Sequence, residues 1–178
     1  TASKRTSLPM RRLLDALYDG AAALAALFMV ALLGMVLLSI ASRQLHFHVP
    51  GTDAYAGYLM AGAGFLALAH TLKRGEHIRV TLLLNALRGG GRKVLELWAL
   101  GAASFLALLF AFYSARLAWQ SHVFNDISTG SDATPLWIPQ LAMVAGTAVL
   151  AIAFLDELVL ELQGLRTQPN PGEALRNE

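Results

Sequence analysis

Residues 20–42 read GAAALAALFMVALLGMVLLSIAS and contain no Asp, Glu, Lys or Arg. The stretch is bounded by Asp19 and Arg43. Its 23 residues would rise about 35 Å as a helix, enough to cross a hydrocarbon core of about 30 Å. It is apolar on every side, as a helix facing lipid is, whereas a helix of a soluble bundle carries a polar stripe. An apolar run this long exceeds the 7–15 residues of a typical signal-peptide core, so it reads as a retained signal anchor.

The same test finds three more charge-free stretches, at residues 54–72, 97–115 and 133–155. In lipid a backbone must satisfy its own hydrogen bonds, so each stretch is predicted to be a helix. The fold expected is an all-α integral membrane protein. Its four transmembrane helices would span about residues 20–42, 54–72, 94–116 and 135–160. Residues 1–16 and 163–178 would form polar tails around a membrane domain over 17–162. Composition agrees: 56% of the 178 residues are hydrophobic and 15% are charged, against about 25% charged in a soluble domain. Cysteine is absent, which excludes disulfides and thiolate metal sites.

Orientation follows from the basic residues. Lys4, Arg5, Arg11 and Arg12 precede the first span, and Lys73, Arg74, Arg79, Arg88, Arg92 and Lys93 fill the second connection. Arg166 and Arg176 lie in the C-terminal tail, leaving only Arg43 and Arg116 for the other two connections. Twelve of the 14 basic residues thus share one side, expected to be the cytoplasm, with both termini there. This placement accounts for the pI near 9.2 without a nucleic-acid partner. Phospholipid is the expected surrounding, and Tyr55, Tyr58, Trp119 and Trp137 are candidate interface anchors near the outer helix ends. Tyr18 and Trp98 lie near the inner ends, completing an aromatic belt.

In the basic connection, His77, Thr81, Asn85 and Arg88 recur at helical spacing, and Ile78, Val80 and a run of leucines fill the rest. His77, Ile78, Arg79, Val80 and Arg88 would belong to a short amphipathic helix in the membrane interface, with Arg79 snorkelling. A solvated linker is the alternative. The Gly89-Gly90-Gly91 run would end this helix and permit reversal into the third span. In the second span, Gly57 and Ala61 form a small-xxx-small pair, and Gly64 extends it. Such a stripe packs either within the four-helix unit or against another subunit. The outer connection carries Asn125, Asp126 and Asp132. These residues either meet something outside the membrane or line a solvated turn.

A search for chemistry returns little. No span has an ionisable residue near its middle, where ion- and solute-moving helices usually carry one. Ser39, Ser104 and Thr147 are scattered hydroxyls, expected to bond back to their own helices. His46-Phe47-His48 lacks a companion carboxylate or thiolate and reads as interfacial rather than metal-binding. No phosphate-binding, serine-hydrolase or zinc-protease motif occurs, so no enzyme is expected, and no catalytic, substrate or metal site.

Three segments resemble one family. Residues 49–53 (VPGTD) look like the proline-then-acid opening of the second helix in the small membrane subunit of TRAP transporters, the tripartite ATP-independent periplasmic carriers. The stretch 71–80 (TLKRGEHIRV) is similar to that family's basic turn followed by His-Ile-Arg-Val, and 134–139 (TPLWIP) is similar to the start of its last helix. The resemblance spans roughly residues 12–162. It implies a scaffold beside a large elevator-type membrane subunit, which carries an organic acid with sodium, and beside a periplasmic substrate-binding protein. C4-dicarboxylates are the family default, and the sodium would sit in the large subunit, leaving this chain without a cofactor. A small subunit of a tripartite tricarboxylate transporter and a self-contained small transporter are the alternatives.

Overall fold

The computed structural model describes residues 9–47, 49–73, 90–130 and 132–163. Four helices occupy nearly all of them: α1 (Pro9–Gln44), α2 (Thr52–Lys73), α3 (Gly90–Val123) and α4 (Trp137–Leu162). No strand occurs among the described residues beyond an isolated bridge between Ile127 and Pro135. Within α1, α3 and α4, the segments Leu13–Gln44, Val94–Val123 and Trp137–Leu162 are long and apolar enough to cross a membrane. The 22-residue α2 falls outside that set, because Gly, Tyr, Thr and His dilute its hydropathy.

Three helices run well past their charge-free stretches, among them α4, which reaches Leu162. The 36 residues of α1 rise about 54 Å and the 34 of α3 about 51 Å, well beyond a bilayer core. α3 continues to Val123, past the Arg116 at which the charge pattern closes the third span. A charge near a helix end ends the apolar run but not the helix, since Arg and Lys are good helix formers in the headgroup layer. α4 begins at Trp137, so Pro139 falls in its first turn, where a missing N–H costs nothing. Pro135 lies before the helix, in the bridge to Ile127.

The helices alternate in direction and pack side by side in the order α1, α2, α4, α3. Ser39 and Asp53 meet at one end of the antiparallel α1–α2 pair, and Asp19 and His70 at the other. α2 and α4 run parallel. Gly62 faces Ala142, and further along Phe65 faces Gly146. The core is built from small residues. A Cβ on Gly62 would lie 2.9 Å from the Phe28 ring, and one on Gly146 would lie 2.5 Å from the Phe65 backbone. Such close approach maximises dispersion contact where no hydrophobic effect drives helices together.

α3 adds a seam of its own. Leu100, Ser104, Ala107, Ser114, Ala118 and Ser121 are its buried positions, repeating at steps of three, four or seven residues along one face. At the opposite end of the bundle from the outer loop, Tyr18 is 1% exposed, packed among Leu14, Ala69, Leu72, Val149 and Ala153. This corrects its expected place in the aromatic belt. Tyr18 joins α1, α2 and α4 in the core, while Trp98 remains exposed on the surface.

Candidate functional site

Two regions could meet partners: the outer connection, and the side of α2 turned away from α1 and α4. The outer connection is built from helix ends. α3 stops with Asn125 in the left-handed region (φ 52°) and the Asp126 amide donating to the Ser121 carbonyl at 2.9 Å. α1 stops the same way, with His46 at φ 56° and the Phe47 amide donating to Ser42 at 3.1 Å. Both are Schellman closures, and Asn is the residue after Gly that best tolerates this conformation. The predicted docking residue Asn125 therefore has a conformational task, although its side chain is exposed.

Beyond the cap the chain folds on itself. The Leu136 amide donates to the Asp126 carbonyl at 2.9 Å, and the Ser128 amide to Thr134 at 2.8 Å. Asp132 fastens this loop to α2. Its carboxylate accepts from the Ser128 hydroxyl at 2.8 Å and from the Tyr58 hydroxyl at 3.2 Å. The Thr134 and Tyr55 hydroxyls share a hydrogen bond at 3.1 Å, and Gly51, at φ 81°, lies against the Asp132 side chain. Hydrogen bonds from Thr134, then Ser128 and Tyr58, outweigh desolvation and hold the Asp132 carboxyl below its usual range. Of the three candidate docking residues, Asp132 is thus turned into the loop's own structure. Asp126 keeps an exposed side chain.

The anchor residues divide similarly. Trp119 is exposed on α3, whereas Trp137 stacks edge-on against His122 with ring centroids 5.3 Å apart. Tyr55 and Tyr58 form a T-shaped pair at 6.1 Å, and both hydroxyls serve the loop. Exposed Val123, Phe124 and Ile127 add an apolar rim to this end of the molecule.

On α2, Gly57 and Gly64 have open space where a Cβ would be, and Met60 and Ala61 are exposed beside them. These four residues share one helix face. The inward face is Gly62, Ala63, Leu66 and Ala69. Sequence spacing nominates Gly57, Ala61 and Gly64 but not the glycine that closes the core, Gly146. The signal was available, because Ala142 and Gly146 are themselves a small-xxx-small pair.

The hydroxyls also separate. Thr147 donates to its own helix, to Met143 at 2.8 Å and Val144 at 3.1 Å. Ser39 reaches across to Asp53 at 3.4 Å, and the buried Ser104 hydroxyl has no hydrogen-bond partner among the described residues. No group of three or more His, Asp or Glu that could hold a metal occurs among the described residues. The proposed interfacial helix with His77, Ile78, Arg79, Val80 and Arg88 lies outside the described residues.

With the geometry in place, residues 32–164 match the family described as tripartite ATP-independent periplasmic transporters, DctQ component. The chain belongs to this family. The matched region takes in the C-terminal third of α1 and all of α2, α3 and α4. Membership makes the protein a TRAP transporter small membrane subunit, a transporter component rather than an enzyme, and sets aside the tripartite tricarboxylate alternative. It also implies the tripartite partners in general, a large membrane subunit and a binding protein. No curated protein matches the chain.

Proposed function

We propose that this TRAP small subunit is an inner-membrane scaffold that holds the large subunit at fixed depth and never touches the transported molecule. In this reading α2 crosses the bilayer with the other three helices, and both termini are cytoplasmic. The large subunit moves an organic acid, a C4-dicarboxylate by family default, by symport with sodium. The binding protein delivers the acid at the outer loop.

The observation that carries the reading is the open face of α2. This helix is central to the packing yet less apolar than its neighbours, and its outward face is Gly57, Met60, Ala61 and Gly64. A smooth small-residue face gains little from fluid lipid and much from a helix that can approach closely. The spans also lack what carriage requires. A carboxylate crossing a membrane needs donors at depth, because an uncompensated buried charge costs several kcal/mol. A sodium ion needs an opened helix whose carbonyls can coordinate it. The helices here are continuous and their hydroxyls do not converge. This favours the scaffold over a self-contained transporter.

The test is co-purification of the large subunit with Gly57→Leu, Ala61→Leu and Gly64→Leu variants. The expected result is loss of the complex with the helicity and Tm of the isolated small subunit unchanged. Full recovery of the complex with all three variants would overturn the assignment of this face. Sodium-driven uptake by the small subunit alone in liposomes would overturn the scaffold role.

A further inference from the structure

Where α1 ends and α2 begins, the two helices leave an open notch of about 470 Å³. Pockets that hold small molecules run from about 300 to 1,000 Å³, so the size suits a headgroup rather than a single ion. Its polar lining includes Ser39, Arg43 and His46 of α1 and its cap, with Thr52 and Asp53 of α2. Phe47 and Val49 supply apolar walls.

Three features point to one class of ligand. The first is depth. The charge-free run of α1 ends at Ser42, so the notch sits at the level where hydrocarbon gives way to headgroups. The second is charge. Arg43 and Asp53 stand 3.6 Å apart with 73% and 82% of their side chains exposed. That separation is long for a charge-assisted hydrogen bond, normally about 2.7–2.9 Å, so both groups keep donors and acceptors to offer. An adjacent cation and anion complement a zwitterion and reward neither a pure anion nor a pure cation. The third is continuity with apolar helix surface. Val36 lies one turn below Ser39 on α1, and Leu33 lies one turn below that, and both are exposed. Acyl chains attached to a headgroup in the notch would run along these positions.

We propose that the Arg43–Asp53 notch is a binding site for a zwitterionic phospholipid with a primary ammonium, a phosphatidylethanolamine. The lipid phosphate is held by the Arg43 guanidinium, with the His46 imidazole beside it. The ammonium donates to the Asp53 carboxylate. A quaternary choline cannot donate a hydrogen bond there, and phosphatidylglycerol brings no cation to Asp53, so the site discriminates among headgroups. Through Asp53 and Arg43 the lipid joins the outer ends of α1 and α2 beneath the loop that Asp132 fastens.

The experiment is native mass spectrometry of the full-length chain, delipidated in detergent and titrated with defined lipids. Wild type is expected to bind one phosphatidylethanolamine about tenfold more tightly than phosphatidylcholine, the scale of one hydrogen bond to a charged group. Asp53→Asn should abolish that preference, and Arg43→Gln should weaken phosphatidylethanolamine by about tenfold. Helicity and Tm are read on the same samples, and the preference ratio is independent of how much protein is folded. Equal binding of the two lipids by wild type, or a preference that survives both substitutions, would overturn the proposal. Competition by soluble glycerophosphoethanolamine at the same concentration as the lipid would also overturn it, assigning the notch to a free phosphate ester.

Discussion

Gly146 of α4 rests directly on the backbone of Phe65 in α2, so closely that a Cβ there would come within 2.5 Å of the Phe65 carbonyl. The obstacle is main chain, which cannot rotate away. Gly57 and Gly64 on the same α2 have nothing within 4 Å of where a Cβ would stand. The glycines of this small bundle therefore have opposite roles, one set closing the core and the other facing outward.

Gly146→Ala should lower the Tm of the isolated chain, because overpacking against backbone costs about 1–3 kcal/mol. Gly64→Ala should leave the Tm unchanged or raise it, since Ala is better than Gly in a helix interior by about 0.5–1 kcal/mol. Thermal melts in detergent compare the two directly, and an equal loss for both would contradict the packing of α2 on α4.

The outer loop should loosen with acid. Asp132 has a depressed carboxyl pKa in the folded chain, so its contribution is complete above the usual carboxylate range. It is lost as pH falls through the lower folded value. Asp132→Asn should raise amide exchange across residues 126–136 at neutral pH, with the difference from wild type vanishing in strong acid. Exchange that is the same for the two proteins at neutral pH would show that the carboxylate does not hold the loop.

Asp126 and Asp132 should respond differently to charge reversal. Asp126→Lys changes an exposed charge and leaves the fold alone, so it should reduce uptake at limiting binding protein. The loss should shrink with salt, since exposed charges are screened beyond about 8 Å at physiological ionic strength. Asp132→Lys should reduce uptake at every salt concentration, because it removes the acceptor for Ser128 and Tyr58. Wild-type uptake by Asp126→Lys at low salt would remove that residue from the docking surface.

Reporter fusions should place residue 90 and the C-terminus in the cytoplasm and residue 128 in the periplasm. That pattern requires α2 to cross the membrane. A periplasmic signal at residue 90 would overturn both the charge reading and the crossing of the membrane by α2.

Ala at Ser39, Ser104 and Thr147 together should leave the substrate and sodium dependence of uptake by the assembled transporter unchanged. Thr147 spends its hydroxyl on its own helix, and Ser39 on Asp53. A shifted sodium dependence in the triple variant would bring this subunit into the transport path.

By itself the sequence determined that this is a helical membrane chain, and it pointed to the family. Both depend on local quantities: uninterrupted apolar runs such as 20–42, basic residues counted loop by loop, and short motifs such as His77-Ile78-Arg79-Val80. A bilayer reads these segment by segment, so no knowledge of neighbours is needed. Only the tertiary structure decided which small residues face inward. Gly57 and Gly62 look alike in sequence, but their directions differ by five residues of helical rotation, and the positions of α1 and α4 settle which one is covered. It likewise turned Tyr18 from a belt residue into a core one, and joined Asp132 to Ser128 and to the distant Tyr58. Each of those outcomes depends on a partner dozens of residues away, and a charge or a ring carries no mark in sequence of the partner it will meet.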